Sequence, residues 1–316
     1  MSGCAAPAVA QSRMKNSGSH KWVYAALTLS AFFWGSGFAV ARFALRSVSP
    51  LELLAGVTLI SAVFEILWMA ARGRLRQLRV PASVLWPVVI LGLTGQGFLN
   101  GFTFFGLKLT TATNAALIFG FSPVMIGILA GLFLREPFSA LKRWGAVVGF
   151  AGVALIVTQG KFQELQLGGM MGGNFVVLGG ALYWAGFSVA TRSIARHISP
   201  ETFTFYLLVL GAAGPVSYFC AKERHFPLAG VELPALLAIV WFAVSTAVVA
   251  MNVWSWALAR VEASRVGAFT YLEPVFAALV AMIFLGERMT SATAAGALLV
   301  FSGIYLSTRG ARFSKT

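Results

Sequence analysis

The chain has 316 residues, of which 58% are hydrophobic and only 11% charged, and its formal net charge is +14. Soluble domains carry about a quarter charged residues. A soluble fold of this composition could not cover its own surface, whereas a chain that crosses a membrane many times could. The basic excess sits in short clusters between apolar runs rather than along one amphipathic face. That excludes a nucleic-acid-binding surface and fits membrane topology.

In chain order, residues 1–20 are polar and rich in small residues, and are expected to form a disordered tail. The apolar run that follows is too long for a cleaved signal peptide. Ten apolar spans are then expected, at approximately 22–44, 50–70, 84–107, 112–134, 140–158, 173–193, 202–220, 235–258, 264–285 and 290–308. About twenty helical residues cross a hydrocarbon core of ~30 Å. The expected fold is therefore an all-α membrane protein of ten transmembrane helices, with no loop long enough for a soluble domain.

Seventeen Lys and Arg residues fall in the two tails and the loops after the second, fourth, sixth and eighth spans, against seven on the other side. This bias predicts that both termini are cytoplasmic. Cys4 and Cys220 would then lie on opposite sides of the membrane, so no disulfide is expected.

The chain also repeats itself. FWGSGFAVARFALRSVSP at 33–50 aligns without gaps on YWAGFSVATRSIARHISP at 183–200, pairing Trp34 with Trp184, Arg42 with Arg192, Arg46 with Arg196 and Ser49-Pro50 with Ser199-Pro200. Residues 111–158 align on 262–309 with 12 identities in 48 positions, among them Pro123/Pro274, Glu136/Glu287, Gly145/Gly296 and Gly152/Gly303. Two homologous halves of five helices follow, at 21–160 and 171–309, with a second tail at 310–316. Five is odd, so the second half must enter the membrane from the opposite side. Such an inverted repeat can adopt two mirror-related states, each open to one face, with the substrate near the midplane between the halves.

The run W-G-S-G-F at 34–38, L-R-E-P at 134–137 and Y-L-E-P-V-F-A-A-L-V-A-M-I-F-L-G-E-R at 271–288 resemble the drug/metabolite transporter superfamily, in particular its ten-helix EamA-type metabolite exporters. The likeness covers nearly the whole chain after residue 20. It implies a 5+5 inner-membrane secondary transporter with a central cavity, exporting amino acids, related metabolites or toxic cations. A multidrug or nucleoside-like substrate, a passive facilitator, or a non-transporting scaffold or sensor are the alternatives. A homodimer is a further expectation.

The residues that could carry chemistry are few. There is no Walker motif and no aspartate, and His20, His197 and His225 lie at membrane edges or in tails. No enzyme, cofactor or metal site is expected. Two glutamates fall within spans, Glu65 and Glu273, where a charge costs about 2.5–3.5 kcal/mol on insertion scales. Glu273 has two readings: a proton-coupling or cation-contacting group, or a structural group beside the kink at Pro274 that hydrogen-bonds the neighbouring helix. Glu65 reads as structural. Trp34 and Trp184 are paired by the repeat at mid-depth, so they either line the cavity or pack helices. Gln96 and Asn100, one turn apart on the third span, join Asn114, Asn252 and Tyr271 as candidate substrate contacts. Trp22, Trp86 and Trp144 suit interfacial belts. GxxxG pairs at Gly97/Gly101, Gly127/Gly131 and Gly145/Gly149 suit close helix packing.

Overall fold

The computed structural model describes residues 19–110, 112–165, 171–285 and 289–309. The tails, the side chains of Arg42 and Asn114, and Glu287 lie outside the described residues. Among the described residues thirteen α-helices follow in order: α1 (Ser19–Ala44), α2 (Pro50–Ala71), α3 (Ala82–Leu109), α4 (Ala112–Phe119), α5 (Ser122–Leu134), α6 (Ala140–Thr158), α7 (Met171–Ile194), α8 (Pro200–Glu223), α9 (Leu233–Trp241), α10 (Ala250–Leu258), α11 (Ala263–Ala268), α12 (Leu272–Leu285) and α13 (Ser291–Arg309). There is no strand among the described residues. Among the described residues, nine helical segments are long and apolar enough to cross a membrane. Large apolar side chains such as Leu132, Phe133, Ile283 and Leu298 are exposed, as a lipid-facing surface requires. So are Trp22, Trp86 and Trp144.

The repeated Ser-Pro pairs are helix starts. Ser49 Oγ accepts from the Glu52 amide and Ser199 Oγ from the Thr202 amide, each at 3.1 Å. Pro50 and Pro200 then occupy the first helical position, where no amide is needed.

Two expected spans are broken. The run at 112–134 is interrupted between α4 and α5, and the run at 264–285 by a 3₁₀ turn at Phe269–Tyr271 between α11 and α12. In each, a proline (Pro123, Pro274) lies in the first turn of the second piece. Its ring clashes with the carbonyl of the turn before it, so the helix restarts there. The span at 235–258 is continuous, but its middle, Phe242–Val249, is wound as a π-helix.

The segments before and after residue 165 interpenetrate. α1 packs on α9, α10 and α12, while α7 packs on α3 and α5. The closest joint is α6 against α13. A Cβ at Gly303 would sit 2.5 Å from the Gly149 amide nitrogen, and one at Gly296 would sit 2.7 Å from the Gly152 carbonyl oxygen. These helices therefore meet backbone to backbone, which in lipid is the main source of helix affinity. Gly101, by contrast, has nothing within 4 Å, so Gly97/Gly101 is no such joint.

Gly303→Leu should therefore destabilise the protein, by about 1–3 kcal/mol or more if the helices cannot part. Gly101→Ala should leave thermal unfolding in detergent unchanged or slightly raised. Equal effects would show that the α6–α13 contact carries no special weight.

Candidate functional site

α1 runs beside the π-wound stretch, and the match is close. Gly37 leaves room for Thr246, whose Oγ1 would lie 3.1 Å from a Cβ there. Trp34 Nε1 donates to the Thr246 carbonyl at 3.2 Å, and Ser30 Oγ donates to the Ala250 carbonyl at 3.3 Å. Ser61 Oγ of α2 approaches the Ala243 carbonyl at 3.3 Å. π-Winding shifts backbone pairing by one residue, and here carbonyls of that stretch are met by side chains from α1 and α2.

Trp34 of α1 and Trp184 of α7, paired by the repeat, touch edge to face with ring centroids 5.4 Å apart. A third ring, Trp254 of α10, closes the group at 5.1 Å from Trp34 and 4.9 Å from Trp184. Phe187 stacks on Trp184 at 5.8 Å and Tyr183 on Phe187 at 6.2 Å. Trp34 is partly exposed; Trp184 and Trp254 are 3% and 1% exposed. Their two indole N–H groups and the Ser188 hydroxyl, one turn along α7 from Trp184, are buried without a partner among the described residues. An unpaired buried donor costs about 1–3 kcal/mol, so a cluster of them is unusual for mere packing.

The other expected contacts separate into small groups. Asn100 Nδ2 donates to Gln96 Oε1 at 2.7 Å, and Gln96 is buried where Gly211 of α8 admits it. Asn252 Nδ2 donates to Glu65 Oε2 at 3.2 Å and to the Val248 carbonyl at 3.1 Å, joining α10 to α2. Glu65 is 1% exposed. Tyr271 is fully buried: its ring covers Gly149 and its hydroxyl donates to the Ala146 carbonyl at 3.0 Å, so it ties the broken helix to α6. Glu273, 9% exposed, makes no hydrogen bond or ion pair among the described residues. Gly35, next to Trp34, packs straight onto its backbone carbonyl, which brings Glu273 beside the aromatic group.

Sequence reasoning overlooked Trp254, because the repeat singles out only Trp34 and Trp184. It also overlooked the Thr94–Tyr183 hydroxyl pair, 2.8 Å apart across α3 and α7.

These features describe a multi-pass helical membrane protein with an aromatic and polar cluster between two interpenetrating segments. The comparison with protein families is specific: the chain belongs to the EamA-like transporter family, whose model matches residues 21–158 and again 171–309. An uncharacterized transporter of Archaeoglobus fulgidus is 28% identical over 89% of this chain and 96% of its own length. A probable amino-acid metabolite efflux pump of Salmonella typhimurium is 26% identical over 90% of this chain and 93% of its own. A crystal structure superposes with TM-score 0.76 over 89% of this chain and 95% of that one, at 23% identity, which establishes likeness of fold.

Glu65 and Asn252 should act as a unit. Asn252→Leu strands a buried carboxyl and should lower stability by about 1–3 kcal/mol. Glu65→Gln, still able to accept from Asn252, should cost less than half as much in the same detergent unfolding assay.

Proposed function

We propose that this chain exports amino acids or closely related small metabolites across the inner membrane, by alternating access between two inverted five-helix halves at 21–160 and 171–309. Both termini are cytoplasmic in this reading, in keeping with the Lys and Arg bias. Family membership supports transport, and the amino-acid metabolite efflux pumps among the relatives support the substrate class.

The observation that carries the reading is the tryptophan trio. Trp34 comes from the first half, Trp184 and Trp254 from the second, and two of the three bear buried N–H groups without acceptors among the described residues. An amino acid supplies a carboxylate to accept such hydrogen bonds and an apolar body to lie on the rings; its ammonium is attracted to their faces. In this account Trp34 presents its open face to substrate, and Gln96 and Asn100 stand as further polar contacts. Asn114 stays a candidate from the sequence. Asn252 and Tyr271 serve mainly to hold α2 and α6 in place.

Glu273 is the coupling residue in this proposal. Among the described residues its carboxyl meets no partner, and such a carboxyl in the membrane is costly while charged, so it favours exchange of a proton as its surroundings change.

Counterflow in proteoliposomes tests both parts. The native protein should show saturable counterflow of an apolar or aromatic amino acid, with Trp184→Ala reducing it at least about tenfold, the loss of roughly 1.4 kcal/mol of binding. No counterflow with any amino acid would remove the substrate class. Glu273→Gln should keep exchange yet lose accumulation driven by a proton gradient. Unchanged accumulation would remove the coupling role.

A further inference from the structure

At the arginine-rich end, the loops after α2, α5, α7 and α10 meet. Lys142, expected from sequence to be an ordinary loop charge, is 1% exposed. Its Nζ donates to Glu262 Oε2 at 2.8 Å, Ser264 Oγ at 2.9 Å and the Pro137 carbonyl at 2.9 Å. Arg265 Nε lies 2.7 Å from the same Glu262 oxygen. Glu136 accepts from the amides of Ala263 at 3.1 Å and Ser264 at 3.4 Å, at the start of α11, and lies 3.5 Å from Arg192 Nε. Arg192 also donates to the Leu258 carbonyl at 2.5 Å. Arg74 pairs with Glu201 at the same end, and Tyr206 donates to the Leu78 carbonyl at 2.8 Å.

Apart from the Lys142–Pro137, Arg265–Glu262 and Arg192–Leu258 contacts, each of these links joins residues 21–158 to residues 171–309. They are built differently from the other joint between the same segments. At α6–α13, backbone lies on backbone along the glycine faces. Here charged side chains of loops and helix ends hold each other at a partly wet edge, with Glu262 still 25% exposed. Such pairs can be traded for hydration one at a time, at modest net cost. One joint suits a permanent axis and the other a latch.

We propose that Glu136, Lys142, Arg192, Glu262 and Arg265 form the latch that closes the arginine-rich end, so that access from that face requires Arg192 to leave Glu136. This rests on the alternating-access reading above. The latch is wired to the interior. Glu136 holds the first amides of α11, and nine residues on from Ser264 the same broken span reaches Glu273. Arg192 lies two turns along α7 from Trp184. Release at the edge would shift both.

The test reads access, not transport, so it stands even if no substrate is found. In a Cys4→Ser, Cys220→Ser background, Ser188→Cys places a thiol one turn inward of Arg192, at a side chain that is fully buried. A charged, membrane-impermeant methanethiosulfonate is applied from the arginine-rich face. Labelling should be slow in the otherwise native protein and about tenfold or more faster with Glu136→Gln or Arg192→Gln, as discharging the pair shifts the population to the open state. Glu136→Gln keeps an acceptor for the α11 amides, so it retains the fold and carries the test if Arg192→Gln does not fold. Labelling unchanged by Glu136→Gln in protein that remains monodisperse would overturn the latch. So would an equal increase with Arg192→Lys, which keeps the charge. Absent counterflow together with faster labelling would instead count against the substrate class alone.

Discussion

The backbone contact between α6 and α13 is the constraint on which the other contacts depend. In water, two apolar helices are driven together by solvent; in lipid they are not, and close approach has to come from geometry. Gly145, Gly149 and Gly152 facing Gly296 and Gly303 supply it. With those two helices fixed, Tyr271 can lie across Gly149 and bond to Ala146, which places the broken helix α11–α12. That in turn places Glu273 under Gly35 and brings α1 into line with the π-wound stretch, where Trp34 finds the Thr246 carbonyl. The aromatic group is thus positioned through a chain of contacts that begins at a joint lined with glycine.

The polar groups follow one economy. Buried side-chain donors and acceptors find partners across helices, as Glu65 with Asn252 and Thr94 with Tyr183, or within one helix, as Gln96 with Asn100. Among the described residues the Trp184 and Trp254 indoles and the Ser188 hydroxyl find no partner, nor does the Glu273 carboxyl, while others such as Ser122 and Thr204 lie elsewhere. Native proteins leave few such groups unpaired, and each one calls for a reason. A small substrate that brings its own acceptor and its own charge is a reason that fits the indoles and Glu273.

Much of the fold was legible because the bilayer imposes it. Only long apolar helices satisfy their own backbone in hydrocarbon, so span positions could be read to within a few residues, and Ser-Pro pairs marked their starts. Pro123 and Pro274 signalled kinks, but not that each span would split in two. The π-helix at Phe242–Val249 left no signal, because a change of winding register needs no particular residue. At the site, Trp34 and Trp184 were legible from the repeat and Trp254 was not, having no repeat partner to mark it. Glu65 and Asn252 were each noticed, but sequence gives no means of pairing residues 187 positions apart. Lys142 was counted as one more loop cation; its burial depends on Glu262 and Ser264 arriving from the other half of the chain.

The central claim is reciprocal motion of the two halves about α6–α13. Spin labels test it most directly, with Cys4 and Cys220 replaced by serine. One pair, Arg76→Cys with Arg196→Cys, spans the arginine-rich end, and another, Ser47→Cys with Lys222→Cys, spans the opposite end; all four positions are exposed. Measured in lipid nanodiscs with and without a candidate amino acid, the two distance distributions should move in opposite senses, one end widening as the other narrows. Distances that stay fixed at both ends, or that widen together, would contradict alternating access for this protein.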